Sequence, residues 1–162
     1  MQITPINWRY KDQLITEISD MPEGMYGFIY RVVHLPTQQK YIGKKVLYFE
    51  RNVKLGKRET EALKEERKAA GIGGRVPAKK KVIKESDWKE YYGSQEDIKK
   101  LVKSSKPEDW SREILDFVPT KKLLTYYEIK HIFINDALEN PDFLNDNILG
   151  KFYKKDFIKV GS

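Results

Sequence analysis

Two tyrosines and a lysine are placed where they could move a proton. Tyr30 ends the segment "YGFIY", and Tyr41 opens "YIGK", in which Lys44 stands three residues later. A tyrosine has a pKa of about 10 and is a poor base at neutral pH, but a neighbouring ammonium lowers that value. We therefore expect Lys44 to activate Tyr41 as a general base, while Tyr30 orients a water or an anionic oxygen. The alternative is that both rings only fill the core.

Glu128 is the candidate for binding a cation. It interrupts an apolar stripe in "LLTYYEIKHIF", where an unpaired buried carboxylate would be costly. One carboxylate, completed by waters and phosphate oxygens, is a usual way for a protein to hold Mg²⁺. The alternative is a surface glutamate paired with one of three nearby lysines: Lys121, Lys122 or Lys130.

The composition excludes several other kinds of site. The chain of 162 residues contains no cysteine and only two histidines, His34 and His131. Thiolate metal sites and cysteine nucleophiles are therefore excluded, and a Ser-His-Asp centre is poorly supported. The length predicts a single domain, 1–162. No apolar run is long enough to span a bilayer and the N-terminus does not resemble a signal peptide, so we expect a cytoplasmic protein without membrane contact.

The positive charge is concentrated in one segment. Residues 44–84 contain 14 Lys and Arg against five Glu, a net charge of +9, whereas the whole chain carries +7. Such a block suits a polyanion, because each cation that neutralises a phosphate releases a counterion. A solvated, charged helix is the alternative interpretation.

The pattern of residues predicts the elements that would position these side chains. Residues 26–34 favour a buried strand, Pro36 lies in a turn over 35–39, and "KYIG" returns as the second strand of a β-hairpin. "SREILDFV" predicts another strand. A final extended segment, "DFLNDNILGKFY", closes the chain.

Four helices are predicted from composition and capping signals. Residues 57–70 are rich in helix formers with interleaved charges. Trp88, Tyr91 and Tyr92 fall on a short helix, and Ser94 caps the next one, "QEDIKKLVKS". The longest helix begins at Thr120 and ends before Pro141. Together these elements predict an α/β (α+β) fold, in which helices flank a small, mainly antiparallel sheet.

The hairpin resembles the signature of the GIY-YIG nuclease superfamily, with "FIY" at 28–30 and "YIG" at 41–43. Phe28 stands where many members carry the first glycine, and Gly27 lies one position earlier. "SDWKEYYGS", "REIL", the helical Glu128 and "LNDNILGKFY" follow in the order found in phage-encoded Seg-type endonucleases. The resemblance implies a nuclease core over 26–150, a basic insertion over 46–85 and an N-terminal extension over 1–25.

The resemblance also implies roles for particular residues. Glu128 would bind one divalent metal, Mg²⁺ or Mn²⁺. An arginine after "YIG" would clamp the phosphate, with Arg51 preferred and Arg58 as its rival. Tyr92 or Tyr91 would supply a third aromatic position, and Asn145 or Asn147 the asparagine near the metal. Double-stranded DNA would lie along the basic residues: Lys45, Lys54, Lys57, Arg58, Arg75, Lys79, Lys80 and Lys81.

The function that the resemblance implies is metal-dependent hydrolysis of DNA to 5′-phosphate and 3′-hydroxyl ends. A catalytically inactive nucleic-acid-binding module with the same basic surface is the alternative, and a structural phage protein or partner-binding protein is a third hypothesis. For cutting both strands we expect a homodimer or a higher homo-oligomer. In a phage-encoded enzyme, the site of action would be the host cytoplasm.

Overall fold

The computed structural model of the chain describes residues 6–157, which form two compact units. The second unit is Tyr48–Ser86, and the first contains the described residues on either side of it. The ends of the predicted domain, residues 1–5 and 158–162, lie outside the described residues. That one domain spans 1–162 stays a prediction.

The described elements alternate strands and helices. In chain order they are β1 (Trp8–Tyr10), β2 (Gln13–Ile15), β3 (Gly27–His34), β4 (Gln39–Val46), β5 (Tyr48–Lys54), α1 (Lys57–Ala69), β6 (Lys79–Glu85), α2 (Glu96–Lys103), β7 (Trp110–Val118), α3 (Lys121–Ile134), β8 (Asn147–Ile148), β9 (Phe152–Tyr153) and α4 (Lys154–Phe157). No helix within residues 6–157 is long and apolar enough to cross a membrane.

A five-stranded sheet of order β2-β1-β7-β3-β4 forms the centre of the first unit. Strands β1 and β7 pair in parallel, and the other neighbours in this sheet are antiparallel. Because successive strand residues point to opposite faces, each face buries its own cluster. Phe28, Tyr30 and three tryptophans lie in one cluster, while Ile29 and Ile42 lie in the other, against residues of α3. The predicted α+β class with a mainly antiparallel sheet is confirmed.

The predicted hairpin is formed by β3 and β4, with Tyr30 opposite Gly43. The two strands come very close at Gly27, where an added Cβ would lie 2.4 Å from the carbonyl oxygen of Lys45. A glycine is therefore needed at position 27. Phe28 is fully buried and packs edge-on against Trp8, with ring centroids 5.1 Å apart. Phe28, which stands where many members of the superfamily have a glycine, thus packs in the aromatic core.

Helix α3 begins as predicted, because the hydroxyl of Thr120 caps it by accepting a hydrogen bond from the Leu123 amide at 3.1 Å. The helix ends at Ile134, which is before Pro141 as predicted. The Asn135 side chain donates to the His131 carbonyl at 2.8 Å, and Asp136 has a left-handed φ of 50°. A residue in that conformation stops a helix.

The predicted short helix over Trp88, Tyr91 and Tyr92 is not formed. Arg112 donates to the carbonyls of Lys89 and Tyr91, each at 2.8 Å, and so binds oxygens that the helix would use. The predicted cap of α2 is also wrong, since the N-cap residue is Gln95 and makes no side-chain capping bond. Strands β1, β2 and β5 are missing from the prediction.

The free edge of β4 is covered by the segment 142–145, which follows α3. The Lys40 amide donates to the carbonyl of Asp142 at 2.8 Å, and the Leu144 amide donates to the carbonyl of Lys40 at 2.7 Å. Covering an edge in this way satisfies its exposed backbone groups. The segment also brings residues 145–147 beside the Tyr41 end of the hairpin.

The second unit contains the basic segment. Strands β5 and β6 pair antiparallel over seven residues each, and α1 lies between them in sequence. The predicted helix over 57–70 is confirmed as Lys57–Ala69. The stretch whose type the sequence leaves open, "AKKKVIKE", contains β6.

Candidate active site

Tyr30 and Tyr41 lie on the same face of the hairpin, with ring centroids 6.3 Å apart. They share a face because Tyr30 pairs with Gly43, which is two residues from Tyr41. A register shift between β3 and β7 falls between Ile29 and Tyr30. Such irregularities redirect side chains and are common next to active sites. Tyr30 is buried, whereas Tyr41 is half-buried at the sheet edge.

Tyr91, rather than Tyr92, joins these two tyrosines. The Tyr91 ring lies edge-on to Tyr30 at 5.8 Å, and the ammonium of Lys45 stands 3.9 Å above it. Tyr92 packs instead against Trp110 at 5.3 Å. The structure therefore places Tyr91, the alternative to the preferred Tyr92, next to Tyr30.

Glu128 lies on α3, with its side chain 22% exposed. The ammonium of Lys44 is 3.9 Å from its carboxylate and donates to the hydroxyl of Thr125 at 3.0 Å. Burial raises the pKa of Glu128, and Lys44 partly offsets that rise. The carboxylate is thus a partly desolvated anion beside a single ammonium, so a further cation in the adjoining space would stabilise its charged form.

A cavity of about 300 Å³ connects Tyr41 with Glu128 at the β4 edge. Its size falls at the lower limit of ligand-binding pockets. Six polar residues contribute to its lining: Tyr41, Gln95, Glu128, Asn145, Asp146 and Asn147. The cavity therefore combines acceptors for a cation with a phenol.

The predicted activation of Tyr41 by Lys44 is wrong for this state of the protein. Residues 41 and 44 point to opposite faces of β4, and Lys44 pairs with Glu128. Burial raises the pKa of Tyr41 to about 12, and the carboxylates of Glu128 and Asp146 add to the rise. Burial also raises the pKa of Tyr30, helped by Tyr91 and Tyr41. Both phenols are therefore protonated at neutral pH.

Asn145 and Asn147 border the same cavity but make different bonds. The buried Asn145 side chain accepts from the Ile42 amide at 3.0 Å and donates to the Ile42 carbonyl at 2.8 Å. Asn147 is exposed and accepts from the Gly150 amide at 2.9 Å. The side chain of Asn145 therefore holds the "YIG" strand through the backbone of Ile42.

Asp146 and Gln95 are polar cavity residues that the sequence analysis does not predict. Asp146 bears on the chemistry. Its carboxylate accepts a hydrogen bond from the Gln95 amide group at 2.8 Å and contributes to the raised pKa of Tyr41. The signal in the sequence is an acid between two candidate asparagines, in "LNDN". It gives the cavity a second carboxylate.

Most of the cations predicted to bind DNA lie exposed in the second unit: Lys54, Lys57, Arg58, Arg75, Lys79, Lys80 and Lys81. Arg51, the preferred phosphate clamp, is exposed on β5, and its rival Arg58 is on α1. Lys45 differs, because it is only 8% exposed and forms a 2.6 Å salt bridge with Asp87 in the first unit. Lys45 is therefore buried and paired, whereas the other seven predicted DNA-binding cations are exposed.

The donors at the cavity fit a hard divalent cation. Mg²⁺ is usually held by one or two carboxylates, with waters and substrate phosphates completing its shell. Glu128 and Asp146 both line the cavity, and the raised pKa of Glu128 reflects a partly desolvated carboxylate. Within residues 6–157 there is no group of three or more His, Cys, Asp or Glu placed to hold a metal among themselves. A metal here would therefore depend on water and substrate oxygens.

The tyrosine hairpin and the glutamate on the helix packed against it define a nuclease domain of the GIY-YIG class. The chain belongs to the family SegE_GIY-YIG, described as "Putative endonuclease segE, GIY-YIG domain", whose match covers residues 8–148. No match was found among curated proteins or among solved structures. The match includes the N-terminal strand β1, all of the second unit and the segment beside β4.

Proposed function

We propose that the chain is a metal-dependent DNA endonuclease that hydrolyses phosphodiester bonds to 5′-phosphate and 3′-hydroxyl ends. The observation that supports this best is the half-buried carboxylate of Glu128, which lies beside Lys44 and borders the same cavity as Tyr41. The carboxylate and the phenol at this cavity supply a cation ligand and a group that exchanges protons, and the ammonium beside the carboxylate adds a positive charge.

Glu128 would hold Mg²⁺ or Mn²⁺, with Asp146 facing the same cavity. When bound, the metal supplies positive charge that stabilises the oxygen leaving the phosphorus atom. Lys44 contributes a second positive charge next to Glu128, which favours the entry of a phosphate. The position of Asn145 on the Ile42 backbone keeps the "YIG" strand, and hence Tyr41, in register with the cavity.

Tyr41 would accept the proton of the attacking water. The water oxygen forms the new bond to phosphorus, its proton passes to the Tyr41 oxygen, and the bond from phosphorus to the 3′-oxygen breaks with its electron pair. The 3′-oxygen takes a proton from solvent, and the phosphate stays on the 5′ side. Because the pKa of Tyr41 is about 12, the deprotonated form of Tyr41 is scarce at neutral pH and becomes more abundant as the pH rises.

The substrate would be double-stranded DNA, and the exposed cations of the second unit would contact its phosphates. One such site cleaves one strand at a time, so cutting both strands would bring two copies of the chain to the DNA. Arg51 or Arg58 would bind a phosphate of the DNA. Phage origin and action in the host cytoplasm belong to the same proposal.

Cleavage of supercoiled plasmid tests the proposed function. The protein is incubated with plasmid and Mg²⁺ or Mn²⁺, with EDTA as the control, and the nicked ends are tested for ligation. We expect ligatable nicks only with metal. If no divalent metal supports nicking while DNA binding persists and weakens with salt, the inactive binding module is the better description.

A further inference from the structure

The strands β5 and β6 form a two-stranded ribbon with two different faces. Directly paired residues of antiparallel strands share a face, and Asn52 pairs with Lys81 while Lys54 pairs with Lys79. We call the face with these four residues the outer face, which continues with Glu50 opposite Ile83 and Tyr48 opposite Glu85. The opposite face carries Val53, which pairs with Lys80, and Val82, which pairs with Arg51. We call it the inner face.

The inner face is the side on which α1 lies. Lys80 forms a 2.5 Å salt bridge with Glu59 in the first turn of α1. Val53 and Val82 are half-buried, as are Thr60 and Leu63 on one stripe of the helix. The inner face is therefore partly covered within the second unit.

The outer face is exposed along its length. Asn52, Lys54, Lys79 and Lys81 are all exposed, and Ile83 is 60% exposed. Lys81 forms a 2.9 Å salt bridge with Glu50 on the neighbouring strand. The end of the face formed by Asn52, Lys54 and Lys79 thus carries an amide and two ammonium groups, while Lys81 is paired with Glu50.

We propose that this outer face enters the major groove of DNA and reads bases, with Asn52 contacting an adenine. This proposal rests on the proposed function, since it takes DNA as the substrate. A two-stranded ribbon fits the groove, which is about 12 Å wide, and an asparagine side chain matches the donor and acceptor of adenine there. Strands of seven residues extend about 20 Å, enough to follow several base pairs.

The lysines of the outer face have a complementary role. Lys54 follows Asn52 on the same strand, and Lys79 lies opposite Lys54. Their ammonium groups can contact phosphates or guanine edges, which orients the ribbon in the groove. The side chain of Asn52 both donates and accepts hydrogen bonds, whereas the ammonium groups of the lysines only donate. The chain would therefore cut with a sequence preference that comes from the second unit.

Selection of bound duplexes tests the ribbon separately from cleavage. The full chain is mixed in EDTA with DNA duplexes that contain a random central segment, and the bound fraction is sequenced. We expect a motif that contains an adenine. In Asn52→Ala the preference for that adenine should fall by about tenfold or more, while affinity for unselected DNA changes little.

Neighbouring lysines provide a matched control. Lys79→Gln on the outer face should lower the salt dependence of binding by about one counterion, and Lys80→Gln on the inner face should keep the adenine motif. The absence of a motif, or an adenine preference unchanged in Asn52→Ala, would overturn the ribbon proposal. A motif without plasmid nicking would instead contradict the proposed nuclease activity and support base reading by the outer face.

Discussion

The hydroxyl of Tyr30 lies in the space that a side chain at position 43 would need. A Cβ added to Gly43 would be 2.4 Å from the Tyr30 hydroxyl oxygen and 2.6 Å from the ring carbon that bears it. The position of the Tyr30 ring thus requires a glycine at position 43. The two halves of the hairpin signature are coupled by packing.

Gly43→Ala should therefore destabilise the protein and impair cleavage, because the methyl group must displace the buried Tyr30 ring. Overpacking of this kind costs about 1 to 3 kcal/mol. Urea denaturation measures the free energy of unfolding, and plasmid nicking measures the activity. Gly73→Ala is the control, since nothing lies within 4 Å of a Cβ at position 73. Equal stabilities of the two variants would contradict this packing account.

Arg112 should be essential for stability, because its guanidinium donates to three backbone carbonyls, those of Ile6, Lys89 and Tyr91. Burial lowers its pKa to about 10, which still leaves it charged at neutral pH. Arg112→Met removes these donors, and each buried acceptor left without a partner costs about 1 to 3 kcal/mol. We expect a loss of about 3 kcal/mol or more in urea denaturation.

The matched control for Arg112 is Arg31→Met. Arg31 forms a 2.7 Å salt bridge with Glu113, but the two side chains are 32% and 43% exposed. Such a pair contributes about 1 kcal/mol or less. If the two variants lost the same stability, Arg112 would not hold the 89–91 loop as described.

Replacing Asn145 should lower the stability of the protein more than replacing Asn147. Asn145→Ala removes both hydrogen bonds to the Ile42 backbone, so we expect a loss of about 1 to 3 kcal/mol and much lower activity. Asn147→Ala should have the smaller effect on stability, because its side chain is exposed. Thermal unfolding and plasmid nicking compare the variants. The reverse order of stabilities would assign the strand-fixing role to Asn147.

Cleavage should accelerate with pH if Tyr41 is the base. Its pKa is about 12, so the deprotonated fraction rises about tenfold per pH unit at any lower pH. We expect kcat/KM at saturating metal to follow this slope from about pH 7 to about pH 9. Tyr41→Phe should lower the rate and flatten the profile. A wild-type rate that is already constant above neutral pH would exclude Tyr41 as the base.

The parts of the fold that the sequence predicts are those whose local patterns agree with their packing. The hairpin is predictable because a β-branched and aromatic run is broken at Pro36, and the start of α3 because Thr120 is a standard cap. The two three-residue strands β1 and β2 are too short to show a periodicity. The helix expected around Tyr91 fails because Arg112, distant in sequence, binds its carbonyls.

The candidate site is predictable where it depends on strand alternation and order. Tyr30, Tyr41 and Glu128 can all be selected from the sequence, and the structure places them around one sheet edge. Strand alternation alone indicates that Lys44 points away from Tyr41, a signal that the activation hypothesis overlooks. The position of Asp146 depends on the segment 142–145 crossing to β4, and no local pattern reports this pairing.

Plasmid nicking by Glu128→Gln tests the central claim most directly. The substitution removes the charge that would hold the metal and keeps the shape of the side chain. Burial raises the pKa of Glu128 in the folded state, so its ionised form costs stability at neutral pH and the variant should unfold at the same or a higher temperature. We predict that nicking falls at least about a hundredfold while gel-shift affinity for DNA is unchanged. Wild-type nicking by a folded Glu128→Gln variant would contradict the account.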